Sequence, residues 1–123
     1  LMKETNTRNL AMKLGGEGFI AYESEADGFI NRQHFPALSI NPIDVAGAGD
    51  ALLAALSVGL CSGATLMQSS AIGAGMASLA VQQIGNIPVS NQQLKNYISQ
   101  IVINFIKYKM IKVKRRNNIR NIK

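Results

Sequence analysis

The spacing of apolar and polar positions changes near residue 45. Before it, apolar residues come in short runs broken by glycine. After it, they recur at intervals of three and four. Asn9–Leu14 (NLAMKL) is a short apolar run closed by Gly15-Gly16-Glu17-Gly18, a turn signal. Phe19–Tyr22 resumes strand character, Ala26-Asp27-Gly28 turns the chain, and Phe29-Ile30 carries it on. This predicts a strand followed by a hairpin. His34–Ile40 is a candidate for one more strand before Asn41-Pro42.

Past the small-residue loop Val45–Asp50, Leu53, Leu56 and Leu60 fall on one face of a predicted helix. Cys61-Ser62-Gly63-Ala64-Thr65 breaks it, and Thr65 is a fair N-cap for a second helix. That helix carries Ile72, Met76, Leu79, Ala80 and Gln83 on one side and is otherwise built of Ala, Gly and Ser. Gly85-Asn86 ends it and Pro88 confirms the stop. Ser90-Asn91 can cap a last helix with Ile98, Ile101, Val102, Phe105 and Ile106 in one apolar stripe. Asn104, Lys107 and Lys109 interrupt that stripe well short of the roughly 20 apolar residues of a membrane span, so none is expected. Strand, hairpin, glycine loop and three helices predict part of an α/β layer fold.

Composition narrows this. With 123 residues, 47% of them hydrophobic, the chain can bury one modest core and not two. The net charge of +6 is unevenly placed: residues 1–106 hold five basic residues and all seven acidic ones, whereas Lys107–Lys123 holds eight basic residues and no acidic one. The body is mildly acidic, and residues 107–123 form a basic tail in which disorder is expected. The tail could bind nucleic acid or an anionic membrane surface by charge, but it lacks interleaved aromatics, so no specific nucleic-acid partner is expected. The single cysteine, Cys61, excludes an internal disulfide and a cysteine zinc site; a buried thiol in a reducing, cytoplasmic setting is expected. The scattered methionines read as core filling, His34 as a surface or edge-strand residue, and Glu23, Glu25 and Asp27 as a solvated face around a hairpin turn. The chain opens on Leu1 and enters a strand-like run almost at once, so it reads as cut from something longer.

The chemistry points to Gly47-Ala48-Gly49-Asp50 at the mouth of the first long helix. Helix N-termini leave N–H groups unpaired and carry partial positive charge, and residues without bulky side chains let a phosphate reach them. Asp50 has two readings there. It can cap the helix, or it can face the phosphate chain and take the proton of an incoming hydroxyl. No Gly-Lys-Ser/Thr follows the loop, so it is not a Walker A motif.

Asp44-Val45-Ala46-Gly47-Ala48-Gly49-Asp50, followed by Ala54-Ala55-Leu56-Ser57, resembles the C-terminal signature of the PfkB (ribokinase-like) carbohydrate kinases, with Val45 where threonine is commoner. Lys13-Leu14-Gly15-Gly16-Glu17-Gly18 is similar to the family's T-L-G-x-x-G segment, and the helix Ala71–Val81 with the turn Ile84-Gly85-Asn86 to its adenine-side elements. The resemblance covers roughly Asn9 to Gln100. It implies the C-terminal portion of a ribokinase-like three-layer α/β/α fold over residues 1–106. Asp50 would be the catalytic base, and the N–H groups of Gly47, Ala48 and Gly49, with that of Asp50, the anion hole. Gly15, Gly18, Ala74 and Gly85 would border the nucleotide. Asp44 and the carbonyl of Ala46 would ligate a monovalent cation, K+, although an aspartate before a turn has an equally good structural reading. The implied activity is ATP-dependent phosphorylation, with Mg2+, of a sugar or sugar-phosphate hydroxyl. The texture leans to the heptose-phosphate type, and a homodimer is one assembly open to it. The residues that read the sugar lie in the family's N-terminal part, so a non-catalytic kinase fragment is the alternative. A binding module acting through the basic tail is a further one.

Overall fold

In the computed structural model, residues 1–39, 41–85 and 87–120 are described, the last nine of them by their helical backbone alone. The chain divides into two compact units, Leu1–Val89 and Ser90–Lys123.

The first unit opens with a short helix, α1 (Met2–Thr5), and a sheet of three antiparallel strands in the order β1 (Asn9–Lys13), β2 (Phe19–Ser24), β3 (Ile30–Phe35). The register pairs Ala11 with Ala21 and Phe19 with Phe35. Alternation along the strands therefore gathers Ala11, Phe19, Ala21 and Phe35 on one face. On that face the Phe19 and Phe35 rings stack with centroids 5.1 Å apart. They join Leu52 and Leu56 of α2 (Ala48–Cys61) and Leu66 and Ala74 of α3 (Leu66–Ala80) in one buried cluster. Each large apolar side chain buried this way contributes about 1.5–3 kcal/mol relative to exposure. A sheet with a helical layer on one face is the part of an α/β layer fold that these residues build.

The faces of the helices differ from expectation. In α2 it is Leu52, with Leu56, that turns inward, while Leu53 is 64% exposed. In α3 the buried side is the small one, Ser69, Ser70, Gly73, Ala74 and Ser78 among it, and Ile72 is 38% exposed. The reason is close approach: a Cβ on Gly59 would stand 2.9 Å from Ser69 Cβ, and one on Gly73 would stand 2.7 Å from Leu52 Cδ1. Bulky residues cannot occupy such an interface, so size and not apolar spacing chooses the face.

Other expectations are corrected as well. No separate strand starts at His34; His34 and Phe35 close β3, where Pro36 lacks the N–H to continue it, and Ile40 lies outside the described residues. Cys61 is exposed; in the last turn of α2 it is Leu60 that packs against the core. Met2 is buried, but Met12 and Met110 are exposed and fill no core. Glu23 is no part of a solvated face: its Oε1 accepts from Leu66 N–H at 3.2 Å and ties β2 to the start of α3. His34 is at the sheet edge as expected, its Nε2 donating to the Glu17 carbonyl at 2.8 Å.

Thr65 caps α3 in a reciprocal box with Gln68. The second unit is α4 (Asn91–Arg120), where Ser90 Oγ accepts from Gln93 N–H and Gln93 Oε1 from Ser90 N–H. The helix runs without a break through Lys107, where the charge pattern marked the start of a disordered tail. The side chains of 112–120 and all of 121–123 lie outside the described residues. No helix among the described residues is long and apolar enough to cross a membrane.

Candidate active site

Two turns converge at one end of the sheet. The first follows β1: Gly15–Glu17 makes one 3₁₀ turn, and Gly18, at φ 90°, returns the chain into β2. A Cβ on Gly18 would collide with the Phe35 carbonyl oxygen and stand 2.7 Å from Ala37 N, so only glycine lets the two segments meet. The second turn leads into α2. Gly47 takes a left-handed conformation, φ 78°, as the N-cap, with no side chain capping it.

The first helical hydrogen bond of α2 runs from Ala51 N–H to the Gly47 carbonyl, 2.9 Å. The N–H groups of Ala48, Gly49 and Asp50 consequently have no acceptor among the described residues, and the positive end of the helix dipole lies behind them. Asp50 is in the first helical turn, two residues past the first helical position, and its exposed carboxylate makes no hydrogen bond or ion pair among the described residues. The cap position belongs to Gly47. The Asp50 side chain is therefore not the cap of α2.

Asp44 has the opposite character. Its Oδ1 accepts from Ala46 N–H at 2.9 Å and its Oδ2 from Gly85 N–H at 3.2 Å. Ile43 and Asp44 N–H both reach the Val81 carbonyl. The carboxylate thus pins the loop before α2 to the turn after α3 and sets where the helix begins. Each of its oxygens keeps lone-pair capacity for a cation beside these bonds. Among the described residues no three His, Cys, Asp or Glu gather as a metal cluster.

Between the two turns lies a cleft of about 600 Å³. Gly15, Gly18, Ala48, Gly49 and Ala74 all line it, so the structure brings these residues together. Gly47, Asp50, Asp44, Ala46 and Gly85 do not line it: Gly47 and Asp50 flank it on the α2 turn, and Gly85 serves as a partner of Asp44. Leu52, Ala77 and Val81 give the cleft an apolar wall, and Pro36–Ser39 closes another side. Sequence reasoning reached the Ala71–Val81 helix of this wall but missed Leu52 and Pro36–Ser39, which come from separate segments with no shared motif. It placed Lys13 in the turn segment after β1 but not its neighbour: Lys13 lines the cleft beside Gly49. The signal was available: in β1, Lys13 shares the parity of Ala11 and so the face toward the helices.

Comparison with known proteins agrees with this geometry. A family model described as pfkB family carbohydrate kinase matches residues 1–93. The bifunctional protein HldE of Azorhizobium caulinodans is 42% identical over 62 residues, which are 50% of this chain and 13% of that protein. The phosphofructokinase-2 of Escherichia coli, solved in complex with potassium, superposes with a TM-score of 0.68 at 19% identity, covering 82% of this chain and 31% of the other. The ribokinase of Arabidopsis thaliana, solved with ribose and ATP, gives 0.62 at 23% identity, with 73% and 28% covered. The fold is that of the ribokinase-like proteins. The chain spans 13% of the length of the curated relative and under a third of each of these solved chains.

Proposed function

Since the chain belongs to the pfkB family of carbohydrate kinases, we propose that it supplies the nucleotide site and catalytic loop of an ATP-dependent kinase acting on a sugar or sugar-phosphate hydroxyl. The observation that carries this reading is the cleft. One end holds a helix start where Ala48 and Gly49, whose N–H groups have no acceptor among the described residues, line it, and the wall beside it is apolar and includes Ala74. That pairing suits a ligand with a flat apolar ring at one end and phosphates at the other.

In this mechanism the N–H groups of Gly47, Ala48, Gly49 and Asp50 receive the transferring phosphoryl oxygens and stabilise charge developing on them. The acceptor hydroxyl oxygen forms its bond to the γ-phosphorus as the bond to the leaving ADP oxygen breaks, and its proton passes to the Asp50 carboxylate. Mg2+, brought with the nucleotide, would supply positive charge that offsets the phosphates. Asp44, held by Ala46 and Gly85, and the Ala46 carbonyl are the residues that would hold K+, where it would steady the loop. The exposed free thiol of Cys61 accords with a reducing, cytoplasmic setting.

Asp50→Asn, in the whole enzyme of which this chain is the matching part, tests the role of Asp50. Turnover should fall by roughly two to four orders of magnitude, the usual worth of a general base, while ATP affinity holds. Near-normal turnover would remove Asp50 from the chemistry.

A further inference from the structure

The sequence of α4 holds no acidic residue anywhere along Asn91–Arg120, and Lys107–Lys123 holds eight basic ones. The helical repeat lines up Leu94, Ile98, Ile101, Val102, Phe105 and Tyr108 on one side, with Asn96, Gln100 and Lys107 opposite. Phe105, Tyr108 and Met110 are each more than half exposed. Lys109 carries its ammonium over the Phe105 ring, 5.4 Å from the centroid, so the apolar side ends in a cation.

Exposed apolar surface of this extent marks an interaction site, and the charge says of what kind. A second copy of α4 is a poor cover, because no carboxylate on either helix answers the lysines and arginines of the other. Ile103 and Met110 also fall outside the stripe and are exposed, which is more apolar surface than a two-helix seam uses. Nucleic acid would answer the charge and leave the aliphatic side chains in water. An anionic lipid surface answers both. Tyr97 and Tyr108, about three turns apart along one border of the stripe, are of the residue type that sits at headgroup level. We propose that α4 is an interfacial helix: it lies along an anionic lipid surface, its apolar side in the acyl boundary and the basic stretch from Lys107 onward among the headgroup phosphates. The helix lacks the apolar length to cross a bilayer and rests on it. The inference is independent of the cleft.

Co-sedimentation of the purified chain with vesicles tests it, using phosphatidylcholine alone and phosphatidylcholine with about 30% phosphatidylserine. The chain should bind the anionic vesicles and leave the neutral ones largely unbound. Lys107→Gln combined with Lys109→Gln should weaken binding about thirtyfold, from about fivefold per charge. Phe105→Ser, which keeps every charge, should weaken it about tenfold. All three positions are exposed, so the melting temperatures should match that of the wild type. Failure to bind the anionic vesicles overturns the proposal, and so does equal binding to the neutral ones. Binding that Phe105→Ser leaves unchanged overturns it as well, since that marks adsorption by charge alone; a duplex oligonucleotide held as tightly would then make nucleic acid the partner. Self-association abolished by Phe105→Ser, without vesicle binding, overturns it in favour of a second copy.

Discussion

At Gly18 the backbone takes φ 90°, and a side chain there would run into the Phe35 carbonyl and the Pro36–Ala37 peptide. Those atoms are main chain and cannot swing aside. Gly18→Ala should therefore cost about 1–3 kcal/mol in conformational strain, with the backbone collision added to it. Thermal unfolding should show a clearly lowered melting temperature. An unchanged one would mean that β1–β2 and the Pro36 segment are not in contact. Gly49 is a different case. The atom in its way is the far end of Lys13, which can move, so the site there depends on a flexible charge and not on a rigid wall. Asp44 and Asp50, six residues apart, illustrate how position assigns roles to identical side chains. One is bound on both oxygens by backbone N–H groups and organises the loop; the other has no such partner.

At the scale of elements, the pairing of α2 with α3 decides the geometry of the cleft. Gly59 lets Ser69 approach its backbone, and Gly73 lets Leu52 do the same. Ser69 Oγ and Ser70 Oγ are buried with no hydrogen-bond partner among the described residues, so these serines serve by being small and not by being polar. Gly59→Ala gains up to about 1 kcal/mol in helix propensity. It also pushes a methyl against Ser69 Cβ and Cα, which cannot rotate away, and overpacking costs about 1–3 kcal/mol. The expected net effect is a lower melting temperature; a higher one would show that the helices pack less closely than this. The consequence reaches function, because Leu52 of α2 and Ala74 of α3 both line the cleft.

On the scale of the whole molecule, the described residues hold a cleft with a helix start at one end and an apolar wall, and the exposed Asp50 carboxylate flanks it. It spans under a third of the solved kinases it superposes on. Positioning of the acceptor contributes a large share of such catalysis, and no sugar-binding set is recognised in these residues. The isolated chain with ATP, Mg2+ and simple sugars should show little or no turnover in a coupled ADP-release assay. Rates on the order of 1–100 per second, usual for kinases, would show that these residues hold the acceptor site as well.

What the amino-acid sequence determined by itself was local. Glycines at 15, 18 and 47, with the caps Thr65 and Ser90, act through backbone torsions and hydrogen bonds a few residues long, so the turns, helix starts and the Gly47–Asp50 loop were legible from order alone. Family kinship was legible too, because the signature around Asp50 is contiguous. The tertiary structure decided everything that depends on distance between segments: that small residues and not Ile72 face the core, that Glu23 holds α3, that Gly85 partners Asp44, and that Lys13 meets Gly49. Helical periodicity names two faces but not which one is buried, since that choice is made by how near the neighbouring backbone can come. Lys13 and Gly49 are 36 residues apart, and only the packing of β1 against the start of α2 puts an ammonium beside that helix start.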